Sequence, residues 1–411
     1  MARRVHRAGH RVHSGMPFCL CLLLLLLLPA GHASVFVPDA ADTVLLRVTP
    51  SDNAEVQRLR QMRAALAEAP GRIEMATAFA QAAIAHARRS QDARWYGYAE
   101  GALRHWQGRE RVPAEVRVLR ATLAQHDHRF AAALQDLDQV LAQQPQHLQA
   151  RLTRAVIHSV QGRYAQAITD CNVVRRYRVL MGVACLATPR SLSGEAEQAL
   201  RMLHTHLALA EGDDEARLWA RSARADIGWR LGSAETEIWF REALDSAGAR
   251  HDMALHLQYA DFLLSQGRVA EAAEVARAWE DSNEGLILSL RARMRSNAEA
   301  PGIAQDRRRL EARLEAERAR GGARHFGTEA AAALYVWQQP ARALWLAQRN
   351  WVVQKTPSDA RLLLRAAVDS GQSDAAVPVR DWLRENAVQD QRLQALLARL
   401  GQTAKSRAED A

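Results

Sequence analysis

Small and apolar positions recur along the chain with a fixed spacing. Ala155, Tyr164, Ala167, Cys171 and Val174 match Ala121, Phe130, Ala133, Leu137 and Val140, each thirty-four residues earlier. Small falls on small, aromatic on aromatic and apolar on apolar. Pro145 closes the earlier copy, where a helix must stop. Further copies follow with small changes of length: Ala187, Gly194, Ala199 and Leu203; Ala225, Gly232 and Ala243; then Ala260, Gly267, Val269 and Ala272. The spacing predicts units of two antiparallel helices. A small residue in the first helix faces a small residue early in the second, so their backbones approach. Glycine makes the turn, and the aromatic after it fills the gap. A lone pair cannot bury its apolar face, so the units must stack.

The remaining segments also read as helices. Ser51 or Asp52 is placed to cap a helix through about Glu68. Pro70-Gly71 breaks it, and a second helix runs to Arg89. WYGYAEGALRHW (95–106) predicts a helix with an aromatic face, led by Trp95, Tyr96 and Tyr98, which offers a second binding surface. Between Asp281 and Gly322 the register fades, Pro301-Gly302 divides the segment in two, and Gly321-Gly322 ends it. The pattern resumes at 340–357, closed by Pro357, and at 359–383, where Pro378 intrudes. A last helix through Leu400 caps the stack, and 401–411 is expected to be a disordered tail. The expected organisation is a first array over 51–280, an irregular charged helical connector over 281–322, and a second array with its cap over 323–400.

These small–small–aromatic–Pro signatures resemble the tetratricopeptide repeat family, best at 114–179 and 253–280 and less well at 182–250. The resemblance implies an all-α, right-handed superhelical solenoid of antiparallel helix pairs, with roughly seven to nine units. It also implies a concave groove lined by the first helix of each pair. Alignment on Ala121, Ala155, Ala187, Ala225 and Ala260 places Thr122, Gln125, Val156, Ser159, Thr188, Asp226, Trp229, Asp261 and Leu264 towards that groove. Trp229, with Arg221, Arg224 and Arg230 nearby, suits an acidic or aromatic peptide. The alternative is a core tryptophan in an irregular unit. Some members of the family grip a C-terminal carboxylate with lysine and asparagine on the groove helices. Here the position after each small residue reads Thr, Val, Thr, Asp, Asp, which disfavours that role.

The N-terminus changes the setting. Arg3, Arg4, Arg7 and Arg11 precede an apolar run from Phe18 to Leu28, and Gly31 and Ala33 are spaced for cleavage before Ser34. That run is too short for a bilayer core of about 30 Å. Residues 1–33 therefore read as a secretory signal peptide, followed by an extended lead-in at 34–50. The expected product is exported, most simply to a bacterial periplasm, with no transmembrane segment in the mature chain. Such a compartment permits a disulfide between Cys171 and Cys185 on consecutive helices, the alternative being two buried free thiols.

Charge and motifs remove several function classes. The net charge is +9, and setting aside the four leader arginines lowers it to +5. Acids and bases alternate, as in DRRRLEARLEAER (306–318), which reads as a solvated helix face and not as a nucleic-acid surface. No zincin, nucleophile-elbow, phosphate-loop or CxxC signature occurs. His126 and His128 lie at a turn, and His204 and His206 point to different sides of one helix, so neither pair makes a metal site unaided. Trp239, Trp279, Trp345, Trp351 and Trp382 are expected to fill gaps between units. The sequence thus points to a non-catalytic scaffold without cofactor or metal, binding a protein or peptide partner in the cell envelope. Self-association is left open. The competing reading is a periplasmic solenoid that binds or acts on a small ligand or envelope polysaccharide through Asp226, Trp229 and Asp261.

Overall fold

Local chemistry sets each helix boundary, and the boundaries define the stack. The computed structural model describes residues 53–90, 92–209, 211–319 and 325–409, with 403–409 as backbone alone. The expected signal peptide, the lead-in, the caps at Ser51 or Asp52 and the break at Gly321-Gly322 lie outside the described residues. Among the described residues every regular element is a helix. The first are α1 (Ala54–Glu68), α2 (Ile73–Ser90) and α3 (Arg94–Ala102). Eight pairs follow: α4 (Ala114–His126) with α5 (Phe130–Gln143), α6 (Leu148–Val160) with α7 (Tyr164–Tyr177), α8 (Val179–Ser191) with α9 (Ala196–Leu209), and α10 (Asp214–Leu231) with α11 (Thr236–Leu244). The later four are α12 (Met253–Ser265) with α13 (Val269–Arg277), α14 (Asn283–Ser296) with α15 (Ile303–Ala319), α16 (Phe326–Tyr335) with α17 (Pro340–Val353), and α18 (Pro357–Ser370) with α19 (Val377–Glu385). Helix α20 (Gln391–Glu409) closes the array.

The first helices of the pairs carry even numbers. Each packs on the next even helix, without interruption from α4 to α18, and α20 covers α18. The result is the expected all-α superhelical solenoid. The alanines behind the repeat, Ala121, Ala133, Ala155, Ala167, Ala187, Ala199, Ala225 and Ala260, are fully or almost fully buried. The turn inside each pair needs a left-handed residue. Gly162 supplies it at φ +75°. Thirty-four residues earlier His128 holds the same place at φ +56°, where a side chain is disfavoured.

Several expected boundaries shift. The segment set apart as a charged connector is an ordinary pair, α14 and α15, with Leu286, Leu290, Leu310 and Leu314 in the core. Pro357 opens α18 as well as closing α17, because proline fits a first helical turn. Pro378 occupies the first turn of α19 for the same reason and does not break it. The segment 95–106 is α3 followed by a short 3₁₀ turn. Helix α20 continues past Leu400 to Glu409.

A buried ionic triad also follows the repeat. Asp136 on α5 meets Arg117 and Arg120 on α4, at 3.0 and 3.1 Å. One unit later Asp170 on α7 meets Arg151 and Arg154 on α6, at 2.6 and 2.8 Å. All three partners are displaced by thirty-four residues. Asp170 is 1% exposed, and its hydrogen bonds raise the Arg154 pKa. Cys171 and Cys185 form a disulfide that joins α7 to α8. Helix α8 has buried residues on all sides, since α7, α9 and α10 surround it.

Two substitutions test this packing. Asp170→Ala leaves two arginines without their shared carboxylate and should cost about 3–5 kcal/mol, read by urea denaturation. Gly182→Ala puts a Cβ 2.3 Å from the Arg175 Cα, where two backbones meet. It should cost about 1–3 kcal/mol by overpacking, lowering the midpoint and leaving the m-value unchanged.

Candidate functional site

The later pairs turn back onto the earlier ones, and that return builds the site. The Lys355 backbone N–H donates to the Val160 carbonyl at 2.6 Å, tying the α17–α18 loop to the end of α6. Trp382 Nε1 on α19 donates to the Tyr164 hydroxyl at 2.9 Å, and both rings are buried. Gln391 Nε2 at the start of α20 donates to the Leu231 carbonyl at 2.8 Å. Helix α20 packs on α10. The even helices from α10 to α20 therefore form a closed ring, with α20 returning to α10.

Inside the ring lies a cavity of about 710 Å³, lined by residues of all six helices. Its helices are set by their ends. The Asp252 carboxylate caps α12 by accepting from the Leu255 N–H at 3.0 Å. Ser282 caps α14 through the Gly285 N–H at 3.0 Å. Thr356 and Asp359 form a reciprocal capping box at α18. Asp359 is buried and also accepts from Asn350 Nδ2 at 2.7 Å; burial pushes its carboxyl pKa up.

Several charged residues of the cavity are paired with one another or with their neighbours. Asp261 accepts from Arg291 at 2.8 Å and pairs with Arg361, a hundred residues further on. Arg361 and Arg392 both lie over the Trp229 indole, at 5.2 and 4.2 Å from its centroid, and Arg291 lies 4.1 Å from the centre of Tyr335. Asp226 accepts from Arg230 at 3.1 Å and from Gln258 at 2.8 Å. Asp390 holds Arg392 at 2.6 Å. Burial, reinforced by the like charge of Arg392, pulls the Arg361 pKa down to about 10, so it stays protonated at neutral pH. Burial also opposes the charge on Arg392, but the Asp390 carboxylate outweighs it and raises that pKa.

The expected groove residues divide into two sets. Asp226, Trp229 and Asp261 are brought together at the cavity. Thr122, Gln125, Val156 and Thr188 are half-buried on the earlier even helices, and Thr122 Oγ1 is turned back to the Val118 carbonyl. Two placements are corrected. Leu264 is 1% exposed and belongs to the core around Phe240 and Phe262, so it does not line a groove. Ser159 is also buried, with its hydroxyl unpartnered. Trp229 serves both readings: its edge packs on Phe240 and Phe262 while it borders the cavity. Arg224 is buried beside Trp239. Arg291, Tyr335, Arg361 and Arg392 escaped the sequence reading, because three of them reach the site only through the return of the last repeats.

Other expectations resolve individually. Trp239, Trp279, Trp351 and Trp382 are buried, whereas Trp345 is 48% exposed on α17 under Arg349. Trp95 is buried between His86 and Tyr98, and Tyr96 rests on His126. Only Tyr98 of those three aromatics is exposed. His206 bonds to the Met202 carbonyl while His204 packs on Trp239, so the pair is separated. Among the described residues, no three His, Cys, Asp or Glu side chains are placed to share a metal ion. No described helix is long and apolar enough to cross a membrane.

The return also gathers histidines. His325, just before α16, lies 5.0 Å from His128 and 6.3 Å from His126, ring centre to ring centre. Burial, then His325 and His126, lower the His128 pKa to about 4, against the weaker pull of Asp127. A lowered pKa means that neutral His128 favours the folded form. Its contribution is present above the unfolded value near 6.5 and is lost as pH falls towards 4. Thermal melts should therefore lose stability across that window. His128→Asn, which tolerates the positive φ, should flatten the loss.

Residues 124–173 match the family model described as tetratricopeptide repeat. Among curated proteins nothing matches the chain. Several solved structures are similar to it. A tetratricopeptide repeat protein from Parabacteroides merdae is 13% identical, with a TM-score of 0.36 over 70% of this chain and 98% of its own. An IFIT1 monomeric mutant with Gppp-AAAA is 13% identical, with a TM-score of 0.34 over 84% of this chain and 76% of its own.

Proposed function

We propose that this tetratricopeptide-repeat protein is an exported scaffold, which binds another protein in the cell envelope and carries out no chemistry itself. The observation that carries the reading is the uninterrupted stack of helix pairs, an architecture that offers extended surface. Export is supported by the leader-like residues 1–33, with cleavage after Ala33. The Cys171–Cys185 disulfide fits an oxidising compartment such as the periplasm.

Two surfaces suit a protein partner. Thr122, Gln125, Val156 and Thr188 lie on successive even helices of the earlier pairs. On α17, Trp345 and Val352 are seven residues apart on one face, 48% and 82% exposed, with Arg349 stacked on Trp345 at 4.2 Å. Tryptophan and arginine together make the strongest contacts in protein interfaces.

Photo-crosslinking residues placed at Val156 or at Trp345 of the full-length protein in its host should trap one discrete partner in the envelope fraction. Capture at 156 assigns the inner face, and capture at 345 the outer one. No adduct at either position, or retention of the uncleaved chain in the cytoplasm, would remove the scaffold reading.

A further inference from the structure

The charges around the ring cavity are arranged with a direction. At one end Arg291 and Arg361 share the single carboxylate of Asp261, and Arg392, held by Asp390, lies over Trp229. Two guanidiniums thus divide one carboxylate at the cavity wall. Excess charge away from water is costly unless a counter-ion meets it. Arg361 and Arg392 keep 22% and 16% side-chain exposure although protein surrounds both. The surface they retain faces the cavity, where a ligand would reach it.

The opposite end carries the opposite sign. Asp252 and Glu284 border the cavity at the starts of α12 and α14, and neither is ion-paired among the described residues. Glu284 and Ala254 are exposed, which makes this end the mouth. Between the two ends, Leu255, Ile287, Leu288 and Leu362 provide an apolar wall. Nine residues of helix separate Asp252 from Asp261, a rise of about 13 Å; seven separate Glu284 from Arg291, about 10 Å.

We infer that the ring encloses a site for a small zwitterionic ligand with an apolar body, of the size of a three- or four-residue peptide with free termini. Its carboxylate sits with Arg361 and Arg392 beside Trp229, and its ammonium at Asp252 and Glu284. An extended peptide spans about 3.3–3.6 Å per residue, so three or four residues cover the helical rise. A volume of about 710 Å³ lies in the range of small-ligand sites. The arginines, and not the lysines or asparagines of an open groove, take the carboxylate, and the whole ligand is held inside the ring. A protein partner elsewhere on the array is a separate matter, so either can fail alone.

Calorimetric titration of the purified mature chain tests it, with Ala-Leu-Ala and Ala-Leu-Leu-Ala as probes. Each is compared with its C-amidated and N-acetylated forms. The free peptides should bind, and either blocked end should weaken binding about tenfold or more, the loss of one charge-assisted contact. Arg392→Gln should abolish the effect of amidation, and Glu284→Gln, at the exposed mouth, should reduce the effect of acetylation. Glu284→Gln keeps the test decisive if Arg392→Gln does not fold. No heat from any free peptide up to about 1 mM, or equal affinity for free and blocked forms, would overturn the inference.

Discussion

The close approach of paired helices at alanine and glycine governs everything else in this molecule. Where Ala121, Ala155, Ala187 and Ala225 are buried, only a methyl group stands between the backbones, and one pair settles on the next. At Gly182 and Gly228 even a Cβ would collide with the neighbouring helix, and at Gly285 with the turn that precedes α14. The small rotation between pairs accumulates along the stack. After several pairs it brings α18, α19 and α20 against the ends of α6, α7 and α10.

That return converts an open array into a ring with an interior. Residues that would line a groove in a straighter stack face the chain's own later helices instead. Asp261 then finds Arg361 across a hundred residues, and Trp229 lies under two guanidiniums from α18 and α20. Polar groups so enclosed must satisfy one another or be met by something that enters. The same return places His325 against His126 and His128.

Two kinds of surface follow from one architecture. The outer faces and the earlier even helices present an interaction surface of the kind a scaffold needs. The ring interior is small, charged at its ends and apolar between them, which suits a compact molecule. The disulfide between α7 and α8 braces the part of the stack on which the later helices close.

The sequence by itself determined the helices, the thirty-four-residue register and the pairing, because these depend on neighbours within one or two units. Ala121, Phe130, Ala133 and their counterparts could be read directly, and the structure buries them. The triad of Arg117, Arg120 and Asp136 was legible in the same register, since Arg151, Arg154 and Asp170 repeat it. Asp226, Trp229 and Asp261 were correctly placed on first helices, but their surroundings were not readable. What only the tertiary structure decided is the ring. Its closure depends on rotations summed over many pairs, and a one-residue change in any turn alters that sum. Arg361 and Arg392 went to the cavity for that reason: their partners are set by the whole stack and not by their own repeat.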